Sequence, residues 1–124
     1  MLFRSWNDGK NESFAFTEID NTFAIGGDLR GTWWRRDADK LGLAVVTNGL
    51  SADHERYLAL GGKGFLLGDG TLHYGRETIV ETYYTARVYR GVSVSADGQL
   101  VVDPGYNADR GPAIVGSLRL HVEI

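Results

Sequence analysis

The chain of 124 residues has no cysteine, two prolines and one methionine. Without thiols there is no disulfide scaffold, no thiolate zinc site and no cysteine nucleophile. Cation is scarce as well. Thirteen Lys and Arg stand against sixteen Asp and Glu, a formal net charge of -3, so the surplus of positive charge that sequence-blind phosphate binding needs is missing and no nucleic-acid partner is expected. No run approaches the ~18 apolar residues of a spanning helix. The start, Met-Leu-Phe-Arg-Ser-Trp-Asn-Asp, has neither the basic nor the apolar region of a signal peptide, so none is expected in this chain.

What is abundant is glycine and aromatic surface: seventeen Gly with three Trp, six Tyr and five Phe. That mixture suits tightly turned, twisted β structure and predicts an all-β fold in one domain. The alternation is long. From Asn21 to Arg36, Phe23, Ile25, Gly27, Leu29, Gly31 and Trp33 share one phase, opposite Thr22, Asp28, Arg30, Thr32 and Arg36. Lys40 to Leu50 sets Leu41, Leu43 and Val45 against Gly42, Ala44 and Asn48, across a polar turn at Arg35 to Lys40. Arg76 to Arg90 places Thr78, Val80, Thr82, Tyr84, Ala86 and Val88 opposite Glu77, Glu81 and Arg87. Val92 to Asp103 follows after a turn at Gly91, and Ile114 to Ile124 separates Leu118, Leu120 and Val122 from Ser117, Arg119, His121 and Glu123. With Leu2 to Trp6, about six antiparallel strands in an up-and-down meander are expected.

Several of these strands reach the ~9–11 residues that a tilted strand needs to cross a bilayer, where globular strands average ~5–6. Two arrangements satisfy a strand with one aliphatic and one charged face. A small soluble barrel turns the aliphatic face inward around an apolar ligand; an outer-membrane barrel turns it toward lipid and wets the charged face. Trp33, Trp34, Tyr83, Tyr84 and Tyr89, read as lying toward strand ends, fit the aromatic girdles of the second arrangement. So does the asymmetry between short turns near Asp37 and Gly91 and long connections at Ser51 to Gly75 and Pro104 to Pro112.

The motifs for other chemistries are incomplete. Gly61 to Gly70 is glycine-rich but contains no Gly-Lys-Ser/Thr, so it reads as loop punctuation and not as a phosphate loop. His54 and Glu55 lie in a short helical stretch, Ser51 to Leu60, capped by Ser51, with no third metal ligand at a diagnostic spacing. Asp103, Asn107, Asp109 and Gly111 lack the terminal glutamate of a calcium loop. Glu77 and Glu81 supply part of a carboxylate pair and no more. No enzyme activity, metal or cofactor is expected.

The stretch from Asn48 to Gly75, Asn-Gly-Leu-Ser-Ala-Asp-His-Glu-Arg-Tyr-Leu-Ala-Leu-Gly-Gly-Lys-Gly-Phe-Leu-Leu-Gly-Asp-Gly-Thr-Leu-His-Tyr-Gly, resembles a loop of the carbohydrate-selective porin family of the OprB type. Ser5 to Gly9, Phe14 to Asp20, Glu77 to Tyr84 and Asp103 to Pro112 resemble further blocks of that family, in its order. The resemblance covers nearly all of residues 1–124 and corresponds to the C-terminal portion of such a porin. It implies one incomplete domain, part of an outer-membrane barrel through whose polar lumen sugars diffuse. Its partners would be sugars, outer-membrane lipid, and the remainder of the barrel or other copies that close it. The strand phase then assigns Arg30, Glu77, Glu81, Arg87, Arg119 and Glu123 to the lumen wall. Ala96-Asp97-Gly98-Gln99 departs from the family, which tends to carry an aromatic between Asp and Gln, and so does Ile124, where such porins usually finish with Phe.

Overall fold

A computed structural model describes residues 1–6, 18–64, 67–68 and 70–123. Asn7 to Gly9 and Phe14 to Thr17 of the family-like blocks, with Phe65, Leu66, Asp69 and Ile124, lie outside them. Six strands form one sheet in chain order: β1 (Leu2–Trp6), β2 (Asn21–Arg30), β3 (Lys40–Gly49), β4 (Glu77–Tyr89), β5 (Val92–Val102) and β6 (Ala113–Val122). Each pairs antiparallel with the next. This is the meander that the alternation predicts. The expected helix is present as α1 (Ala52–Ala59), and the Ser51 hydroxyl accepts from the backbone N–H of His54 at 3.3 Å as its cap.

Directly paired residues share a face, so the register shows what each face carries. One row reads Leu2, Ile25, Val45, Val80, Leu100 and Ile114 across all six strands. A second reads Leu29, Leu41, Tyr84, Ala96 and Leu118. The opposite face carries Asp28, Gly42, Tyr83, Asp97 and Ser117 in one row and Arg30, Lys40, Thr85, Ser95 and Arg119 in the next. Among the described residues nothing covers the aliphatic face: Leu118 is 81% and Leu120 66% exposed. A soluble barrel folded around an apolar interior would bury these side chains, so their exposure weighs against that arrangement.

The connections leaving β1, β3 and β5 share one rim, and the turns after β2 and β4 share the other. Among the described residues the buried apolar cluster, Leu50, Leu58, Leu72 and Tyr106 with Leu67 and Tyr74 packed against it, lies within the long connections and not between strands. Backbone bonds join those connections to each other. Gly75 N–H donates to the Tyr106 carbonyl at 2.9 Å, Ala108 N–H donates to the His73 carbonyl at 2.8 Å, and Tyr74 bridges to Asn107. Burial pushes the Tyr106 phenol above its ordinary value. Asp20, also buried, accepts from the backbone N–H of Ser51 at 2.7 Å and lies 3.0 Å from His54 Nδ1, tying the chain before β2 to the start of α1.

At the other rim the alternation of β2 ends sooner than expected. Residues Gly31–Trp34 form a 3₁₀ turn, so Gly31, Trp33 and Arg36 leave the strand phase assigned to them from sequence. The cause is Asp39, a carboxylate that is 1% exposed. Arg36 Nε donates to its Oδ2 at 2.5 Å, the Tyr84 hydroxyl donates to the same oxygen, and the Arg87 backbone N–H donates to Oδ1 at 3.0 Å. The Trp34 indole donates to the Tyr84 hydroxyl at 3.2 Å. An extended strand could not bring these donors onto one carboxylate. A second departure is the bulge between Arg87 and Tyr89, which sets Tyr89 and not Val88 opposite Val92 on the aliphatic row.

The hydrogen bonds from Arg36 and Tyr84 hold the Asp39 carboxyl at about 2, below its ordinary 3.8. A depressed folded-state value means that this carboxylate's contribution is complete above the ordinary value and is lost as the pH falls through about 2. Acid titration of the tryptophan fluorescence of the folded chain is therefore expected to show a step between those values. Asp39→Asn should remove the step and loosen the turn already at neutral pH; a variant that keeps the acid step would assign it to another group.

Candidate functional site

Alternation along three neighbouring strands brings polar side chains from each onto one face. A cleft of about 340 Å³ is lined by Glu81, Tyr83 and Thr85 of β4, Ser95, Asp97 and Gln99 of β5, and Ser117 and Arg119 of β6. It opens on the polar face, opposite the aliphatic rows. The lining is organised in rows. Glu81 faces Gln99, whose amide donates to Glu81 Oε2 at 3.2 Å. Tyr83 faces Asp97, which faces Ser117. Thr85 and Ser95 share a hydroxyl hydrogen bond of 2.8 Å, and Ser95 faces Arg119.

Tyr83 owes its position to a neighbour with no side chain. A Cβ on Gly42 would lie 2.1 Å from Tyr83 Cε1 and 2.3 Å from Cζ, so the ring rests flat on the glycine of the adjacent strand. This corrects the placement of Tyr83 in an outward girdle: it belongs to the polar phase, with Glu81 and Thr85. The result is an aromatic face flanked by carboxylates, an amide, hydroxyls and a guanidinium. Such a lining makes many weak hydrogen bonds and one flat apolar contact.

The six residues assigned to a lumen wall from sequence fall in different places. Glu81 and Arg119 line the cleft. Arg30 is in the Arg119 row but on β2, outside it. Arg87 is in the next row toward the short-turn rim, facing Ser93, which faces His121. Glu123 follows the last residue of β6 and lies 3.3 Å from His121 Nε2. Glu77 is not open wall: its Oε1 accepts from the Asn48 amide at 3.1 Å and its Oε2 from the Gly105 backbone N–H at 3.0 Å. Because Glu77 and Asn48 are on the polar face, those bonds bring the β5–β6 connection over that face. A choice weighted toward ionised side chains passes over Tyr83, Thr85, Ser95, Gln99 and Ser117; Asp97, a carboxylate in the same phase, is unassigned as well. All of these are in the polar phase, which is the signal that finds them.

Comparison with known proteins adds two positive findings. The sequence model described as carbohydrate-selective porin, OprB family, matches residues 2–124. Among solved structures, OprB of Pseudomonas putida is similar at a TM-score of 0.70 and 21% identity over 84% of this chain. The chain spans 26% of that structure's length. No curated protein matches.

The contact between Tyr83 and Gly42 is testable on its own. Gly42→Ala is expected to push the ring off the strand and lower folded-state stability by about 1–3 kcal/mol, the usual range for overpacking. In a Tyr83→Ala background the same change should be close to neutral. Gly27→Ala, whose added methyl would meet nothing within 4 Å, serves as the control. Urea unfolding of the four proteins gives the coupling; a full cost for Gly42→Ala without the ring would place the clash elsewhere.

Proposed function

The chain belongs to the OprB family of carbohydrate-selective porins, and we propose that it is the C-terminal portion of an outer-membrane barrel, with its polar face lining a passage for sugars moving by diffusion. The observation that carries this reading is the cleft, an aromatic face set among hydrogen-bonding groups on the inner side of a sheet whose outer side is aliphatic. Sugars offer both hydroxyls and flat C–H surfaces, and a series of weak contacts lets them enter and leave. No step of covalent chemistry is needed.

The dimensions agree with a membrane setting. The eleven residues of β5 are joined by ten steps of ~3.4 Å, which at a tilt of ~40° cover about 26 Å of the membrane normal, against a lipid-facing band of about 25 Å. Glu81 and Arg119 are the wall residues best placed to meet a sugar, with Tyr83 between their rows. Arg30 and Arg87 would extend the charged wall beyond the cleft, and Glu123 would lie at its end. Glu77 takes a different role in this reading, holding the Gly105 backbone so that the β5–β6 connection narrows one mouth of the passage. Closing the barrel requires more strands, from its remainder or from other copies, because the smallest known membrane barrels use ~8.

Sugar contact can be tested on the chain refolded in detergent. Addition of glucose or maltose is expected to shift NMR resonances of Tyr83, Ser95 and Gln99 with weak affinity, while Leu118 and Leu120 stay unmoved. Gln99→Ala should weaken binding about fivefold, the ~1 kcal/mol of one net hydrogen bond, and Tyr83→Ala should weaken it further. Shifts confined to the outward face, or an affinity indifferent to both substitutions, would refute the cleft as the sugar path.

A further inference from the structure

The outward face is almost free of charge, and the exceptions are not scattered. Taken strand by strand, the outward phase is Leu2, Arg4 and Trp6; Asn21 to Leu29; Leu41 to Gly49; Thr78 to Ala86; Val92 to Val102; and Ile114 to Val122, counting alternate residues. No carboxylate, lysine or histidine occurs in it. Arg4 is its single charge within the strands, and Arg76, just before β4, is placed on the same side. Both are toward the rim of the long connections; Arg36 and Asp39, beside the outward Tyr84 at the other rim, are paired with each other.

The position of Arg76 is fixed by contact. Its Nε donates to the Thr47 hydroxyl at 2.8 Å, and Thr47 is in the outward phase. A Cβ on Gly49 would come within 2.4 Å of Arg76 Nη1 and 2.8 Å of Asn21 Oδ1, so the guanidinium lies over that glycine beside the Asn21 amide. Trp6, Asn21 and Gly49 form one row, with Trp6 71% exposed. The next row inward is Arg4, Phe23 and Thr47. Arg4 therefore stands two inter-strand spacings, about 10 Å, from the residue that anchors Arg76. No ion pair of either arginine occurs among the described residues, and an exposed Trp6 ring at the same level is the kind of side chain that a membrane interface carries.

We propose that Arg4 and Arg76 bind the phosphate of an anionic lipid headgroup at the long-connection rim of the outward face. This rests on the preceding reading that the aliphatic face meets lipid. An uncompensated guanidinium at the edge of a hydrocarbon-facing surface needs an anion, and the sheet itself offers none on that side. Phosphate suits it, because the planar fork of an arginine donates to two of its oxygens at once. The aliphatic rows next to the arginines supply the surface for the acyl chains of the same molecule, which a free anion would not use.

Native mass spectrometry of the refolded chain in detergent, titrated with phosphatidic acid or phosphatidylcholine, tests this. Phosphatidic acid is expected to bind about thirtyfold more tightly, with Arg4→Gln and Arg76→Gln each costing about fivefold and the double variant losing the preference. Arg56→Gln, which removes a charge from α1, should change nothing. Equal binding of the two lipids, or a preference that survives the double substitution, overturns the arginine site while leaving the lipid-facing reading intact. Absence of adducts of either lipid overturns both. Displacement of phosphatidic acid by equimolar inorganic phosphate would show a soluble-anion site and overturn the lipid assignment.

Discussion

The molecule depends on strand register. In a sheet with side chains alternating at a period of two, sliding one strand by a single residue would exchange its faces. Here that exchange would place Asp28, Glu81, Asp97 and Arg119 among the aliphatic rows and Ile25, Val80 and Leu118 on the polar face. Hydrogen-bonded pairing runs without interruption across β2, β3, β5 and β6, and its one irregularity, at Arg87 and Tyr89, lies at the end of β4 where the next turn begins. Two-faced chemistry over six strands is possible because the backbone ladder keeps one phase.

The register also explains why the buried cluster is so small and so far to one side. Among the described residues no second layer packs on either face of the single sheet, so there is no dry interior between layers in which apolar side chains could gather. They gather in the long connections, where Leu50, Leu58, Leu72 and Tyr106 meet, and where backbone bonds between His73 to Gly75 and Tyr106 to Ala108 hold two connections together. The short-turn rim is secured differently, by hydrogen bonds converging on Asp39. One rim is stabilised by apolar packing and the other by a buried carboxylate, and the strands between them need only stay paired.

Much of this was legible in the sequence, because a period of two sustained over ten or more residues is what a strand with two unlike faces produces and a helix cannot. The strands, their order, the helix with its Ser51 cap and the asymmetry of the connections follow from local pattern. What escaped depends on contacts distant in the chain. The early end of β2 is set by Asp39 gathering donors from Arg36, Tyr84 and Arg87. The inward position of Tyr83 is consistent with its phase, but its stacking on Gly42 depends on which glycine the register brings opposite. Glu77 alternates like a wall residue, and only the fold of the β5–β6 connection brings Gly105 onto it. Charge was an incomplete guide to the cleft, since most of its hydrogen-bonding capacity comes from Thr85, Ser95, Gln99 and Ser117.

The same physics bears on the edge of the described sheet. β6 is exposed along its whole length, and among the described residues no strand lies beside the backbone N–H and C=O groups of its outer edge. In water such an edge is tolerated; in hydrocarbon each unsatisfied group costs several kcal/mol. In the membrane setting proposed above, ten residues of β6 call for a neighbouring strand of similar length, whereas β1 provides five. Pairing β6 of one copy with β1 of another would satisfy about half of that edge, so a longer strand from the remainder of a barrel is the energetically sufficient neighbour. A barrel closed around the polar face would hold the Tyr83 ring on the inside and the two outward arginines on the outside.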